Sequence, residues 1–176
     1  MHQVRRQLCQ ATTAGLLLGL IGCGSAPTRP SPASAPPATD GAGDAPRLAS
    51  RLSAEQASDV TIYAIGLVGT PYRYGGNTPS TGFDCSGLIS HVYQTRANVQ
   101  SPRTVSRLQT WGQAVPSHEL RSGDLVIFGQ RDVVTHAGIY VGNGRFVHAP
   151  STGGTVRLDS LSAKYWSQQK TAFRRP

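Results

Sequence analysis

Bulky apolar residues enter the folded part of this chain only after residue 50. From Gly24 to Pro46 the sequence is Pro, Ala, Ser, Thr and Gly with little else. Such a stretch cannot bury enough surface to offset the entropy of ordering it. It reads as a tether, residues 23–50, with an r.m.s. span of about 25 Å if flexible. Whatever core exists must be built from residues 51–176, about 125 residues, a normal size for one domain. No internal repeat and no second module divides that span.

Within it, helical patterning comes first and strand patterning after. Ser53-Ala-Glu-Gln56 is a capping-box sequence. It opens a helix predicted to run to about Val68, with Ala57, Val60, Ala64, Leu67 and Val68 apolar, stopped by Gly69 and Pro71. Tyr72 to Phe83 is a Gly-rich loop. A second helix begins near Cys85, with Leu88, Ile89, Val92 and Tyr93 on one side, and a shorter one spans Val105 to about Trp111. Strands are predicted at Asp124–Phe128, His136–Val141, Arg145–Ala149, Thr155–Leu158 and Thr171–Arg174. Helices followed by an antiparallel sheet make an α+β fold.

The first 22 residues read as a segment to be removed. Arg5 and Arg6 form a basic start, and Ala11–Ile21 is apolar but too short to span a bilayer. The run ends in Leu20-Ile21-Gly22-Cys23, which resembles a bacterial lipobox. The resemblance implies cleavage before Cys23 and lipidation of that residue, with several acyl chains anchoring the protein in a membrane. Gly24, where an Asp would retain such a protein at the inner membrane, points to the outer membrane facing the periplasm in a Gram-negative host. The formal net charge is +8. The basic residues are scattered and form no helix face, which argues for an anionic envelope surface and against nucleic acid.

Of three cysteines, Cys9 leaves with the signal and Cys23 is blocked by lipid. Cys85 is then a lone thiol in an exported domain, where a thiol is either buried and inert or reactive. Its place in the first turn of a predicted helix, with Asp84 as cap, favours reaction. The helix N-terminus is expected to favour thiolate, provided that the Asp84 carboxylate turns back onto the helix amides. His136 is the candidate base and His148 the group that orients it. They share a sheet face only if Gly142-Asn143-Gly144 forms a three-residue loop, with Val141 facing Arg145 and Gly138 facing His148. Zinc is the rival for a Cys-His-His set. The domain has no second cysteine and no His-Glu-x-x-His, and no metal or other cofactor is expected.

Five ordered blocks make the chain from about Ile62 onward resemble the NlpC-type cell-wall cysteine peptidases, which are papain-like in architecture. They are Gly69-Thr-Pro-Tyr-Arg-Tyr-Gly-Gly76, Gly82-Phe-Asp-Cys-Ser-Gly-Leu88, Pro102-Arg-Thr104, Ser122-Gly-Asp-Leu-Val-Ile-Phe128, and His136-Ala-Gly-Ile-Tyr-Val-Gly-Asn-Gly144 continuing through Phe146-Val-His-Ala149. The resemblance implies that Cys85 is the nucleophile, His136 the base and His148 the third polar residue. It places Tyr72, or its neighbour Tyr74, near the oxyanion, with Ser86 and Asp84 as further candidate contacts. It also implies a monomeric hydrolase of peptidoglycan stem peptides, acting most often at the D-γ-glutamyl–diamino acid bond. A wall amidase on the same scaffold, or a silent wall-binding lipoprotein, are the other readings.

Overall fold

The computed structural model describes residues 50–151 and 154–176. The signal-like run, Cys23 and the tether lie outside the described residues. Helix α1 (Ala54–Gly66) opens with both halves of the capping box. The Gln56 amide donates to Ser53 Oγ at 3.2 Å, and the Ser53 amide donates to Gln56 Oε1 at 2.9 Å. The helix ends one turn's fraction earlier than its apolar pattern predicts, because Val68 is exposed and only Val60, Ala64 and Leu67 reach the core.

The Gly-rich loop contains a small hairpin, β1 (Asn77–Thr78) with β2 (Gly82–Phe83). It leads directly into α2 (Cys85–Ala97), which Asn98 closes in the left-handed conformation at φ 54°. The third helix, α3 (Val105–Leu108), is a single turn and shorter than predicted. After β3 (Gln113–Ala114) come β4 (Leu125–Gln130), β5 (Val133–Gly142), β6 (Arg145–His148), β7 (Arg157–Ser160) and β8 (Lys170–Arg175). The β7 and β8 positions differ from expectation by a residue or two. β5 begins three residues earlier than expected, since Arg131 at φ 54° turns the chain straight back from β4.

Among the described residues these strands form one antiparallel sheet in the order β3-β8-β4-β5-β6-β7. Alternation along the strands gives it two apolar faces. Leu125, Ile127, Ala137, Ile139 and Val147 face the helices and pack with Val60, Ala64, Leu88, Ile89, Val92 and Tyr93. Val126, Phe128 and Phe146 face the other way and are covered by Trp166. Burying each such aliphatic or aromatic side chain stabilises the fold by about 1.5–3 kcal/mol.

The β5–β6 hairpin reaches the required register by a different route from the one predicted. Tyr140 pairs with Phe146 and Ile139 with Val147, which carries on to Gly138 opposite His148, but Gly142 rather than Val141 faces Arg145. The turn is the two-residue Asn143-Gly144, both at positive φ (51° and 68°). The extra residue is a bulge between Tyr140 and Gly142, where Gly142 takes φ 99°, a conformation that side chains resist.

One ion pair ties the sheet together at its buried end. Arg175 donates through Nε to Asp124 Oδ1 and through Nη2 to Asp124 Oδ2, each at 2.9 Å, and Asp124 also accepts the Arg121 amide at 2.8 Å. Both side chains are almost wholly buried. Arg175→Met would leave the Asp124 charge buried without its partner, and should lower stability by about 3–5 kcal/mol. Asp124→Asn combined with Arg175→Met should recover part of that loss in chemical denaturation; equal stability of the single variant and the parent would remove the pair's structural role.

Candidate active site

Cys85 is the first residue of α2, where helix amides lack carbonyl partners. Asp84 caps them. Its Oδ1 accepts the Gly87 amide at 2.6 Å and its Oδ2 the Gly75 amide at 2.9 Å, so the carboxylate is turned back onto backbone. Ser86 is buried, and its hydroxyl shares its one proton between Arg103 O at 2.8 Å and Asp84 Oδ1 at 2.9 Å. These bonds brace the helix start, and Asp84 and Ser86 also line the cleft that holds Cys85 and His136.

The thiol itself is half-buried. α2 packs against β5, the strand that carries His136. Cys85 and His136 line one cleft of about 460 Å³, together with Tyr72, Tyr74, Arg103 and Pro150. A second hollow of about 370 Å³ shares Thr135, His136 and Pro150 with it and is bounded by Arg157, Tyr165 and Trp166. Both hollows therefore border His136.

The expectation of a depressed thiol pKa is not what this environment produces. Burial pushes the Cys85 thiol above its ordinary value and the Asp84 charge adds to this, while the three nearby backbone amides offset only part. The helix N-terminus is present, but desolvation of the charged form wins. Tyr72 is also held above its ordinary value by burial and by the charges of Asp84 and Cys85, so its phenol keeps its proton. Tyr72 and Tyr74 both line the cleft, the first partly buried and the second 88% exposed.

His136 is buried under two aromatic rings, stacked on Trp166 with centroids 5.5 Å apart and on Phe128 at 6.2 Å. Its Nε2 lies 2.9 Å from Nδ1 of the fully buried His148. The other nitrogen of His148, Nε2, lies 3.1 Å from Asp159 Oδ2. Burial lowers His136 to about 3, aided by His148 and Arg157 and opposed by Asp159. Burial likewise lowers His148 to about 4, opposed by Asp159. Both rings are neutral at pH 7.

Gly138, between them on β5, has no side chain. A Cβ there would lie 2.7 Å from the Phe146 ring and 3.2 Å from His148 Cβ, so the close packing of this face depends on it.

Asp159 was not visible as a functional residue in the sequence. No local signal could have found it: the predicted strand stops at Leu158, and Asp159 joins the face of His148 only through the pairing of β7 with β6. Trp166 packs over this face, and its Nε1 also donates to Asp159 Oδ2 at 2.8 Å. His91 and His118 take no part. His91 bonds Tyr63 at 2.9 Å and His118 is exposed. Among the described residues no group of His, Cys, Asp and Glu side chains converges as a metal site.

Comparison with known proteins places this geometry. Residues 69–175 match the NlpC/P60 family. The chain is 42% identical over 112 residues to murein DD-endopeptidase MepH of Escherichia coli, covering 61% of this chain and 41% of that protein. It is 39% identical over 132 residues to gamma-DL-glutamyl hydrolase of Bacillus subtilis, covering 72% of this chain and 32% of that protein. The match thus spans less than half the length of either relative. Among solved structures, the NlpC/p60 domain of peptidoglycan hydrolase SagA superposes with a TM-score of 0.58 at 29% identity, over 66% of this chain and 96% of that domain.

With burial dominating the thiol, the rate of Cys85 alkylation in substrate-free protein should rise with pH through an inflection at or above about 8.5, the free-cysteine value. The sign follows from desolvation: a group that loses hydration of its anion needs a higher pH to ionise. An inflection well below that value would show a resting thiolate–imidazolium pair instead.

Proposed function

Since the chain belongs to the NlpC/P60 family, we propose that it is a cysteine peptidase that hydrolyses stem-peptide amide bonds of peptidoglycan, with the D-γ-glutamyl–diamino acid bond as its first substrate. The observation that carries this reading is the shared cleft of Cys85 and His136, with the far nitrogen of His136 engaged by His148. Nucleophile, base and orienter are thereby arranged for acyl transfer.

The pKa directions favour proton transfer in concert with attack. The resting pair is thiol and neutral imidazole, so His136 takes the S–H proton through Nδ1, its remaining nitrogen, as sulfur bonds to the carbonyl carbon. The oxyanion is held by the Cys85 amide, an unpartnered donor of the first helical turn, and by the Tyr72 phenol. The proton then passes from His136 to the departing amine as the C–N bond breaks. Water hydrolyses the thioester with His136 as base again. Because the same Nδ1 protonates the leaving nitrogen, the diamino acid side of the substrate has to sit beside the Cys85–His136 pair, within the cleft they share.

A second reading has its own support. The relative MepH is named for a DD bond and the Bacillus relative for a γ-DL bond, so a D-alanyl cross-link is the other candidate. Digestion of purified peptidoglycan with mass analysis separates them. Cleavage between D-glutamate and the diamino acid supports the first reading. Loss of cross-links supports the second, and release of L-alanine from muramic acid makes the enzyme an amidase. Cys85→Ala and His136→Ala should both bring turnover to background, and His148→Ala should be roughly 10²-fold less severe, as an orienter is. Undiminished cleavage by Cys85→Ala would end the mechanism.

The lipobox-like run supports the further proposal that the protein is held at the cell envelope by lipid on Cys23. Replacing Cys23 by Ser should block processing or release the protein from the membrane fraction. A variant processed and retained like the parent would refute the anchor.

A further inference from the structure

The face of the sheet that carries the two histidines carries one more ionisable group whose placement is specific. In β7, Arg157 pairs with His148 and Asp159 with Phe146. Paired residues of an antiparallel ladder share a face, so Asp159 lies beside His148. Its Oδ2 collects four donors: Trp166 Nε1 at 2.8 Å, Arg157 Nη2 at 2.9 Å, Arg157 Nε at 3.0 Å and His148 Nε2 at 3.1 Å. We propose that Asp159 is a positioning residue that fixes the tautomers of both buried imidazoles, so that His136 offers a bare Nδ1 to the Cys85 thiol.

The argument is one of donors and acceptors. An ionised carboxylate only accepts. Asp159 stays ionised: burial raises it, but the bonds from Trp166 and His148 and the Arg157 charge outweigh this and hold it below its ordinary value. His148 must therefore carry its proton on Nε2. A neutral ring has only one, so His148 Nδ1 is bare and accepts from His136 Nε2–H across 2.9 Å. His136 is then bare at Nδ1. The opposite chain would aim the His148 Nε2 lone pair at a carboxylate and leave His136 with N–H toward the thiol, where it cannot act as base. Burial keeps both rings neutral, and a neutral pair is the case in which the tautomer must be chosen.

Asp159 also acts during the step. When the S–H proton moves to His136 Nδ1, the ring becomes an imidazolium, with the Asp159 charge two hydrogen bonds away. The charged or titratable groups that face the relay are Cys85, His136, Arg157 and Asp159 itself. Phe128, Phe146 and Trp166 supply the uncharged wall. Arg157 opposes the stabilisation, but its side chain is about half exposed and screened by water.

This inference rests on the peptidase reading for its purpose, and its test does not use peptidoglycan. In the full chain labelled with ¹⁵N-histidine, the ring nitrogens report protonation directly. Wild type should show His136 bare at Nδ1 and His148 protonated at Nε2. The reverse pattern in wild type would overturn the proposal without any variant. Asp159→Ala should mix the tautomers and slow both turnover and Cys85 alkylation at pH 7 on the order of 10²-fold. That is less than the ~10⁴-fold seen where the acidic group touches the catalytic ring itself. Asp159→Asn can present its amide oxygen to the same donors, so it should keep the wild-type pattern and recover most of the rate. A merely structural brace predicts otherwise: thermal stability falls in Asp159→Ala while tautomers and alkylation stay as in wild type. That result, or equal losses in Ala and Asn variants, would overturn the proposal. If the NMR pattern holds and peptidoglycan is not cut, the substrate reading fails and this one stands.

Discussion

Everything at this site depends on the register of one hairpin. A one-residue slip between β5 and β6 would move His148 to the face of Val147, into the helix-facing core, and leave His136 without its partner. The register is held by two local devices in series. Asn143 and Gly144 make a tight turn at positive φ, and the bulge before Gly142 restores the residue that the tight turn omits. With both present, His136 and His148 are diagonal neighbours over Gly138, close enough for the 2.9 Å bond between their rings. The hydrophobic pattern reinforces this from either side. Slippage would also turn Val147 to the outer face and force Phe146 inward.

The second fixed point is the start of α2. A thiol at a helix N-terminus is useful only if the helix is held against the strand that carries the base. Here Asp84 caps the helix and anchors Gly75, Ser86 fastens it to Arg103, and the helix packs against β5. The same packing that aligns Cys85 with His136 removes water from both. Both groups are thereby biased to their neutral forms, the thiol upward and the imidazole downward. The alignment and the neutral resting state have one cause, which is burial.

Much of this was legible in the chain because the signals were local. The capping box at Ser53, the Asp-Cys helix start and the helical periodicity around Leu88 and Tyr93 each depend on a few consecutive residues, and the structure keeps them. That His136 and His148 share a face was legible as a requirement, but the three-residue loop thought necessary for it is absent: the turn is two residues long and a bulge before Gly142 supplies the shift instead. What was not legible depends on distant contacts. Single-turn α3 and the two-residue strands take their form from what they pack on. The thiol's pKa was misjudged because a helix terminus can be read from sequence and the degree of desolvation cannot. Asp159 was missed because its role exists only once β7 is paired with β6 and Trp166 has folded over both.

That aromatic cover explains why a relay of polar groups is tolerated on an otherwise apolar face. Buried imidazoles without partners would each lose hydration with nothing in return. In this arrangement each ring nitrogen along the relay meets a partner, and the chain ends on a carboxylate at the rim, where Arg157 and the Trp166 indole share it. The neutral histidines sit deepest and the charges sit nearest to water, which is the order that desolvation favours. Trp166 serves both ends of that gradient. Its ring shields His136 on one side and its N–H holds Asp159 on the other, so the exclusion of water and the alignment of the relay are enforced by one side chain.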